Sequence, residues 1–128
     1  MAGSSDTYHE PLDKLSSTTQ DMHRALVSLQ EELEAVDWYQ QRADACEDAD
    51  LKAILLHNMR EEIEHASMVL EWLRRHHPAF EQYLRMYLFQ EKPILAVEEA
   101  DRASNGKTEP NTRRPQRVGL TVGAMKGD

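Results

Sequence analysis

Two long stretches of this chain carry apolar residues three, four or seven positions apart, which is the spacing of one helix face. The first stretch follows Pro11, a residue that is tolerated at the first position of a helix. The second follows the sequence ACEDAD, where Asp48 or Asp50 can cap a helix, and it ends before Pro78. The two stripes are Leu15, Met22, Leu26, Leu29, Leu33 and Val36, and then Leu51, Leu55, Met59, Ala66, Val69 and Leu73.

A third, shorter helical segment rich in aromatic residues follows Pro78, and Pro93 starts a further stub. Two long helices with a short connection form an antiparallel hairpin. One hairpin can bury apolar surface on only one side. We therefore predict an all-α fold, an antiparallel two-helix hairpin plus a short C-terminal helix, which dimerises into a four-helix bundle.

Composition excludes several other classes of protein. The 128 residues suffice for one domain, and five Gly, five Pro and few strand formers argue against an all-β fold. No apolar run approaches the roughly 20 residues of a membrane span, and the polar N-terminus has no secretory signal. The single cysteine, Cys46, cannot form an intrachain disulfide, which suits a reducing cytoplasm.

Charge divides the chain into two parts. Residues 1–100 hold nine Lys/Arg and 20 Asp/Glu, whereas residues 101–128 hold six and three. The acidic part suits metal cations and argues against a nucleic-acid partner. We predict a helical domain over 1–100, a disordered linker over 101–117 and a short apolar peptide over 118–128, where Val, Leu and Met return.

Glu62 and His65 form a Glu-x-x-His pair, whose side chains share one helix face and can reach one metal ion. Carboxylate oxygen and imidazole nitrogen together suit iron, manganese or zinc. Glu62 continues the second apolar stripe, and Glu32 continues the first, so both carboxylates are expected on the inner faces. A carboxylate buried there must be paired, protonated or bound to metal. No arginine falls on either stripe, which weakens the alternative of a buried ion pair.

The predicted turn places these residues at one level. If the hairpin turns near residue 47, Glu32 lies opposite Glu62, with both about 22 Å from the turn. Carboxylate-bridged di-iron bundles use one Glu from each of two helices and a Glu-x-x-His from each of the other two. This chain supplies half of that set, and a two-fold dimer would supply the other half at the subunit interface.

Three segments of the chain resemble the encapsulated ferritins, short ferritin-like proteins housed in encapsulin nanocompartments. They are EELEAVDWY (31–39), HNMREEIEHA (57–66) and LEWLRR (70–75), and the likeness covers roughly residues 8–100. The tail VGLTVGAMK is similar to the cargo-loading peptides that tether proteins to the inner wall of an encapsulin shell. Residues 118–128 are therefore interpreted as an encapsulin-targeting peptide.

The resemblance implies a ferroxidase that oxidises Fe(II) to Fe(III) with oxygen and stores the iron inside a shell in the cytoplasm. It implies a ferritin-like bundle and a ring of dimers, typically a decamer. By position, the iron ligands of the di-iron centre would be Glu32, Glu62 and His65. Tyr39 would lie near them among the catalytic residues, with Trp38 packed close by. Glu31 and Glu34 would form an outer acidic site for a second divalent cation.

Other interpretations of the same residues remain open. The ligand set also fits a manganese catalase or a rubrerythrin-like peroxidase, and an acidic site can bind cations without any catalysis. A haemerythrin-like oxygen carrier needs many more ligand-spaced histidines. His57 and Glu61 are four apart, but a solvated pair explains them better. The apolar tail could also pack against the protein's own body.

Overall fold

The computed structural model of the chain describes residues 8–107, and that part is helical throughout its regular structure. A single 3-10 turn, Leu12–Lys14, precedes four α-helices. These helices are α1 (Ser17–Ala45), α2 (Ala49–His76), α3 (Pro78–Tyr87) and α4 (Ile94–Lys107). The all-α prediction is confirmed, and α1 and α2 form the predicted antiparallel hairpin.

The start of α1 differs from the prediction. Pro11 opens the 3-10 turn, and α1 begins six residues later, after Ser16. The Ser16 hydroxyl accepts a hydrogen bond from the Thr19 amide at 3.1 Å, so it satisfies one of the N–H groups left free in the first turn. A local cap therefore fixes this boundary, whereas the proline begins only a short turn.

The hairpin connection lies where the sequence placed it. Residues 46–48 join α1 to α2, and Asp48 caps α2 by accepting a hydrogen bond from the Leu51 amide at 2.8 Å. At the far end, α2 stops at His76 and Pro78 opens α3. Proline disfavours helical backbone in the residue before it, and it is well suited to the first position of a new helix.

The core of the hairpin is small. Among the residues described, the buried apolar residues are Ala43, Ala66 and Leu73, and Leu73 has the lowest exposure, at 0%. Large apolar side chains such as Leu33, Ile54 and Met68 stay more than half exposed. One hairpin thus covers only one face of each helix, as the sequence predicted.

The chain forms two compact units, one ending at Leu84 and the other beginning at Arg85. In the second unit α4 continues to Lys107, so residues 101–107 of the predicted linker are helical. Pairs four residues apart support this polar helix: Arg102 donates to Glu98 at 3.1 Å, and Asn105 donates to Asp101 at 3.4 Å. The rest of the predicted linker and the peptide 118–128 lie outside the described residues. No helix in the described range is long and apolar enough to cross a membrane.

Candidate metal centre

Three side chains from the two long helices converge midway along the hairpin. Glu32 comes from α1, and Glu62 and His65 come from α2. One donor atom from each of the three lies within 4.8 Å of the other two. His65 Nδ1 is 3.3 Å from Glu62 Oε1 and 3.5 Å from Glu32 Oε1. The register inferred from the turn is confirmed by this contact between the helices.

The three side chains are partly buried rather than enclosed. Glu32 and Glu62 are 26% and 24% exposed, and His65 is 42% exposed. Neither carboxylate forms an ion pair with an arginine within residues 8–107. Arg24 binds Asp21 at 2.6 Å, and the Arg42 guanidinium lies 5.4 Å from the centre of the Tyr39 ring. Both carboxylates instead pair with the single imidazole.

The electrostatics of the cluster are set by two carboxylates that share one imidazole. The hydrogen bond shared with Glu62 raises the pKa of the Glu32 carboxyl, and burial and the Glu62 charge raise it further, against the opposing effect of His65. Burial lowers the pKa of the His65 imidazole, but the hydrogen bond to Glu62 and the charges of both carboxylates outweigh it and raise the pKa. Two carboxylates this close favour a shared proton or a bound cation.

The donor set fits iron. Carboxylate oxygens suit hard cations, and an imidazole nitrogen is a common ligand of iron and manganese. Three side chains leave coordination positions unfilled, and the exposed side of the cluster leaves room for further ligands. The arrangement can therefore bind a divalent metal ion, and further donors must complete its coordination.

The other residues that the resemblance implies do not join this cluster. Within residues 8–107, the group of three or more His, Cys, Asp or Glu with converging donor atoms is the one already described. Glu31 is exposed, and Glu34 is partly buried one turn further along α1. Tyr39 is partly buried two turns beyond Glu32, and Trp38 beside it is exposed.

His57 and Glu61 are close enough to pair, at 3.8 Å, but both are largely exposed. This agrees with the interpretation of a solvated pair on the surface of α2. The pair has no third donor within the described residues that would complete a metal site.

A second charged cluster, which was not predicted from the sequence, lies at the corner between α2 and α3. Arg74 donates to both oxygens of Glu71 at 2.7 Å and also to Glu81 on α3, and Arg75 donates to Glu71 at 2.6 Å. The hydrogen bonds from Arg74 and Arg75 lower the pKa of Glu71 to about 2. The spacing of Glu71 to Arg74 and Arg75, three and four residues, is the signal in the sequence that could have found it.

Comparison with known proteins gives one consistent result. The family model described as EncFtn-like matches residues 7–91. An encapsulated ferritin-like protein of Rhodospirillum rubrum is 50% identical over 131 aligned residues, which cover 100% of this chain and 94% of that protein. A ferritin-like protein of Thermotoga maritima is 52% identical over 94 residues, 73% of this chain and 82% of the relative. The crystal structure of a Nitrosomonas europaea protein is 62% identical, with a TM-score of 0.66, over 68% of this chain and 96% of that one.

Proposed function

Since this chain belongs to the EncFtn-like family of encapsulated ferritin-like proteins, we propose that it is a ferroxidase that oxidises Fe(II) to Fe(III) with oxygen. The observation that carries the proposal is the convergence of Glu32, Glu62 and His65 within 4.8 Å. Fe(II) is the substrate, and these three side chains would be its ligands. An ion pair with arginine does not account for the cluster, because the ion pairs of Glu32 and Glu62 within the described residues are both with His65.

A second copy of the chain would complete the site. One hairpin offers three donors, and a two-fold axis facing the cluster would bring three more and place two irons at the interface. The exposed apolar residues next to the ligands support this: Leu33 follows Glu32 and Ile63 follows Glu62 in the chain, and both are largely exposed in the single chain. A partner hairpin would cover them and form the ferritin-like four-helix bundle.

In this mechanism the chain's residues bind the substrate iron and stabilise its product. Each Fe(II) loses one electron to oxygen, and the negative carboxylates favour the more highly charged Fe(III). The raised pKa of Glu32 favours its protonated form, so iron and the proton would compete for this carboxylate. His65 would exchange its hydrogen bonds to the two carboxylates for a bond to iron, and this requires its neutral form.

The outer residues would serve the same reaction. Glu31 and Glu34 lie three apart on α1, so they share a face beside Glu32 and could hold a second divalent cation on its way to the centre. Tyr39 would act close to the centre, with Trp38 packed beside it. Arg42 lies over the Tyr39 ring, and this contact restrains the ring at its place on α1.

The proposed assembly is a ring of dimers, a decamer, inside an encapsulin nanocompartment in the cytoplasm. The name of the R. rubrum relative, an encapsulated ferritin-like protein aligned over the whole of this chain, supports the compartment. The peptide 118–128 would tether the ring to the shell wall. Deleting these residues should leave soluble, active protein that a co-expressed shell no longer captures. Continued capture, or loss of the fold, would contradict this role.

The test of the function is iron stoichiometry combined with stopped-flow oxidation. We expect anaerobic Fe(II) titration to saturate at two irons per dimer, and oxygen then to oxidise them faster than free Fe(II). Binding without faster oxidation would mean a non-enzymatic metal-binding protein. Manganese in the purified protein, or reaction with peroxide in preference to oxygen, would identify a manganese catalase or a rubrerythrin-like peroxidase instead.

A further inference from the structure

The turn between α3 and α4 exposes four apolar side chains within eight residues. Phe89 is 98% exposed, and Ile94 and Leu95 are each 71% exposed. Leu88, at 38%, is also exposed, and the four together are called the α3–α4 patch below. The family match ends at residue 91, so Ile94 and Leu95 belong to a part of this chain that the family model does not cover.

Phe89 is also the one described residue other than glycine with a positive φ, of 60°. It stands two residues after the last residue of α3, where helices commonly end in a left-handed glycine or asparagine. A bulky side chain in this conformation is unfavourable, and the fully exposed ring gains no burial energy that would offset this strain within the described residues. Strain without a compensating contact points to a function for the exposed ring.

We propose that the α3–α4 patch is the docking site of the chain's own C-terminal segment, Val118–Met125. The segment offers Val118, Leu120, Val122 and Met125, whose branched and flexible side chains suit an exposed phenyl ring and two aliphatic neighbours. Four side chains expose at most a few hundred Å², below the roughly 1,200 Å² of a stable protein interface. A short peptide held by a tether is therefore a better occupant than a second folded chain.

The length of the tether matches the distance to be covered. The helix α4 has 14 residues from Ile94 to Lys107, and it is about 20 Å long. A flexible chain with the 11 residue steps that separate Lys107 from Val118 would have a root-mean-square length of about 18 Å and an extended reach of about 36 Å. A tether whose mean length equals the span gives the highest effective concentration, in the millimolar range, so a weak contact suffices.

Charge favours the same path. Between Lys107 and Val118 the chain carries Arg113, Arg114 and Arg117. A chain that returns along α4 passes the acidic residues of that helix, Glu98, Glu99 and Asp101, of which Glu98 already binds Arg102. The basic tether and the acidic helix thus attract each other along the route to the α3–α4 patch.

Docking does not depend on the iron site or on a shell. If the tail also binds an encapsulin shell, as proposed above, the docked tail is withheld from it. Weakening the α3–α4 patch should then increase capture by the shell. This consequence alone rests on the proposed function.

The test uses the full chain with ¹³C-labelled methyl groups of Met, Leu and Val. We expect the methyl signals of Leu120 and Met125 to lie upfield of those in a free peptide of residues 118–128, because of the Phe89 ring. Phe89→Gly should move them to the free-peptide positions and weaken docking about ten- to a hundredfold. It should also raise the thermal midpoint, because glycine accepts the positive φ. Leu12→Ser, at an exposed apolar residue of the other compact unit, is the matched control and should change nothing.

A double substitution in the tail, Leu120→Ser with Val122→Ser, tests the contact without touching the described part of the chain. It should speed tryptic cleavage after Arg117 by the same factor as Phe89→Gly. Wild-type methyl signals at the free-peptide positions would overturn the proposal, as would upfield signals that persist in Phe89→Gly. A change of oligomer mass in Phe89→Gly, with unchanged tail signals, would assign the patch to a second copy. Glu62→Gln should leave the signals unchanged, so failure of the iron site and failure of docking are distinguishable.

Discussion

The middle of the α1–α2 hairpin and the corner between α2 and α3 each gather charged side chains, but different groups complete them. At the corner, Arg74 binds Glu71 and Glu81, and Arg75 binds Glu71 as well. Every carboxylate there has a guanidinium, and the pKa of Glu71 falls to about 2. In the middle, two carboxylates share one imidazole, and the pKa of Glu32 rises. The ion pairs at the corner are complete, whereas the middle has one imidazole for two carboxylates and can still take up a cation.

Both clusters are built on α2 with the same three-residue spacing, in Glu62-x-x-His65 and Glu71-x-x-Arg74. The spacing therefore brings charges together but does not decide what they do. A guanidinium carries a permanent charge and five donors, so it neutralises a carboxylate within one chain. An imidazole can give up its proton and bind metal, so it leaves the site open to an external cation.

The largest expected effect is on iron oxidation. Replacing Glu32, Glu62 or His65 by Ala should slow Fe(II) oxidation by at least about a hundredfold, because each removes a direct ligand, and even indirect partners of metal sites cost 10- to 100-fold. Stopped-flow absorbance is the measurement, and circular dichroism checks that the helices persist. Glu71→Gln is the matched control, since it removes a carboxylate from the same helix but from the completed cluster. Wild-type rates in all three ligand variants would show that iron is not oxidised at the cluster of Glu32, Glu62 and His65.

The next effect concerns assembly. If a second copy completes the middle cluster, metal binding must stabilise the dimer, by about 2.7 kcal/mol at a hundred times the dissociation constant. Apo protein should shift toward smaller species, and anaerobic Fe(II) should reverse the shift, as measured by size exclusion with light scattering. The response should vanish in His65→Ala and persist in Arg74→Ala. A monomer with full activity, indifferent to metal, would refute the shared site.

A smaller effect is expected at the corner. Arg74→Ala should lower the thermal midpoint by a few degrees, because it leaves Glu71 and Glu81 without their shared guanidinium. Arg74→Lys should recover only part of the loss, since lysine cannot make the two-pronged contact with Glu71. Iron oxidation should stay at the wild-type rate in both variants. An unchanged midpoint would show that the corner network contributes nothing measurable.

The sequence predicted the middle of the hairpin better than its ends. Glu32 and Glu62 were matched because the turn at residues 46–48 fixes the register and helical periodicity carries it along both helices. The start of α1 was misplaced because the Ser16 cap is a local hydrogen bond that competes with the signal of Pro11. The contact between Arg74 and Glu81 was not predicted because the two residues meet across Pro78, through tertiary structure.

Two further features lay beyond reasoning from periodicity. The helix α4 extends past residue 100 because pairs such as Glu98 with Arg102 support a polar helix that has no apolar stripe. The positive φ of Phe89 is visible only in the backbone, since the sequence places no glycine there to mark the end of α3. Single side-chain pairs and single dihedral angles decide such boundaries, whereas periodic patterns average over many residues.

The smallest expected effect is on the pH dependence of stability in the metal-free protein, which should differ between Glu32 and Glu71. The pKa of Glu32 is raised in the folded state, so its contribution to stability is present below the usual value of 4.5 and is lost as pH rises through the folded value. The pKa of Glu71 is lowered, so its contribution is present above 4.5 and is lost as pH falls toward about 2. Wild type and Glu32→Gln should therefore have similar thermal midpoints near pH 4, where Glu32 is neutral, and the midpoint of wild type should fall below that of Glu32→Gln as pH rises to about 7. The difference in thermal midpoint between wild type and Glu71→Gln should shrink as pH falls from about 5 to 3.

Adding metal should reverse the pH trend for Glu32→Gln and leave the trend for Glu71→Gln unchanged, because only ionised Glu32 binds the cation. Parallel pH profiles for the two variants would show that the two clusters are electrostatically equivalent, and the distinction between a completed network and an open cation site would fail.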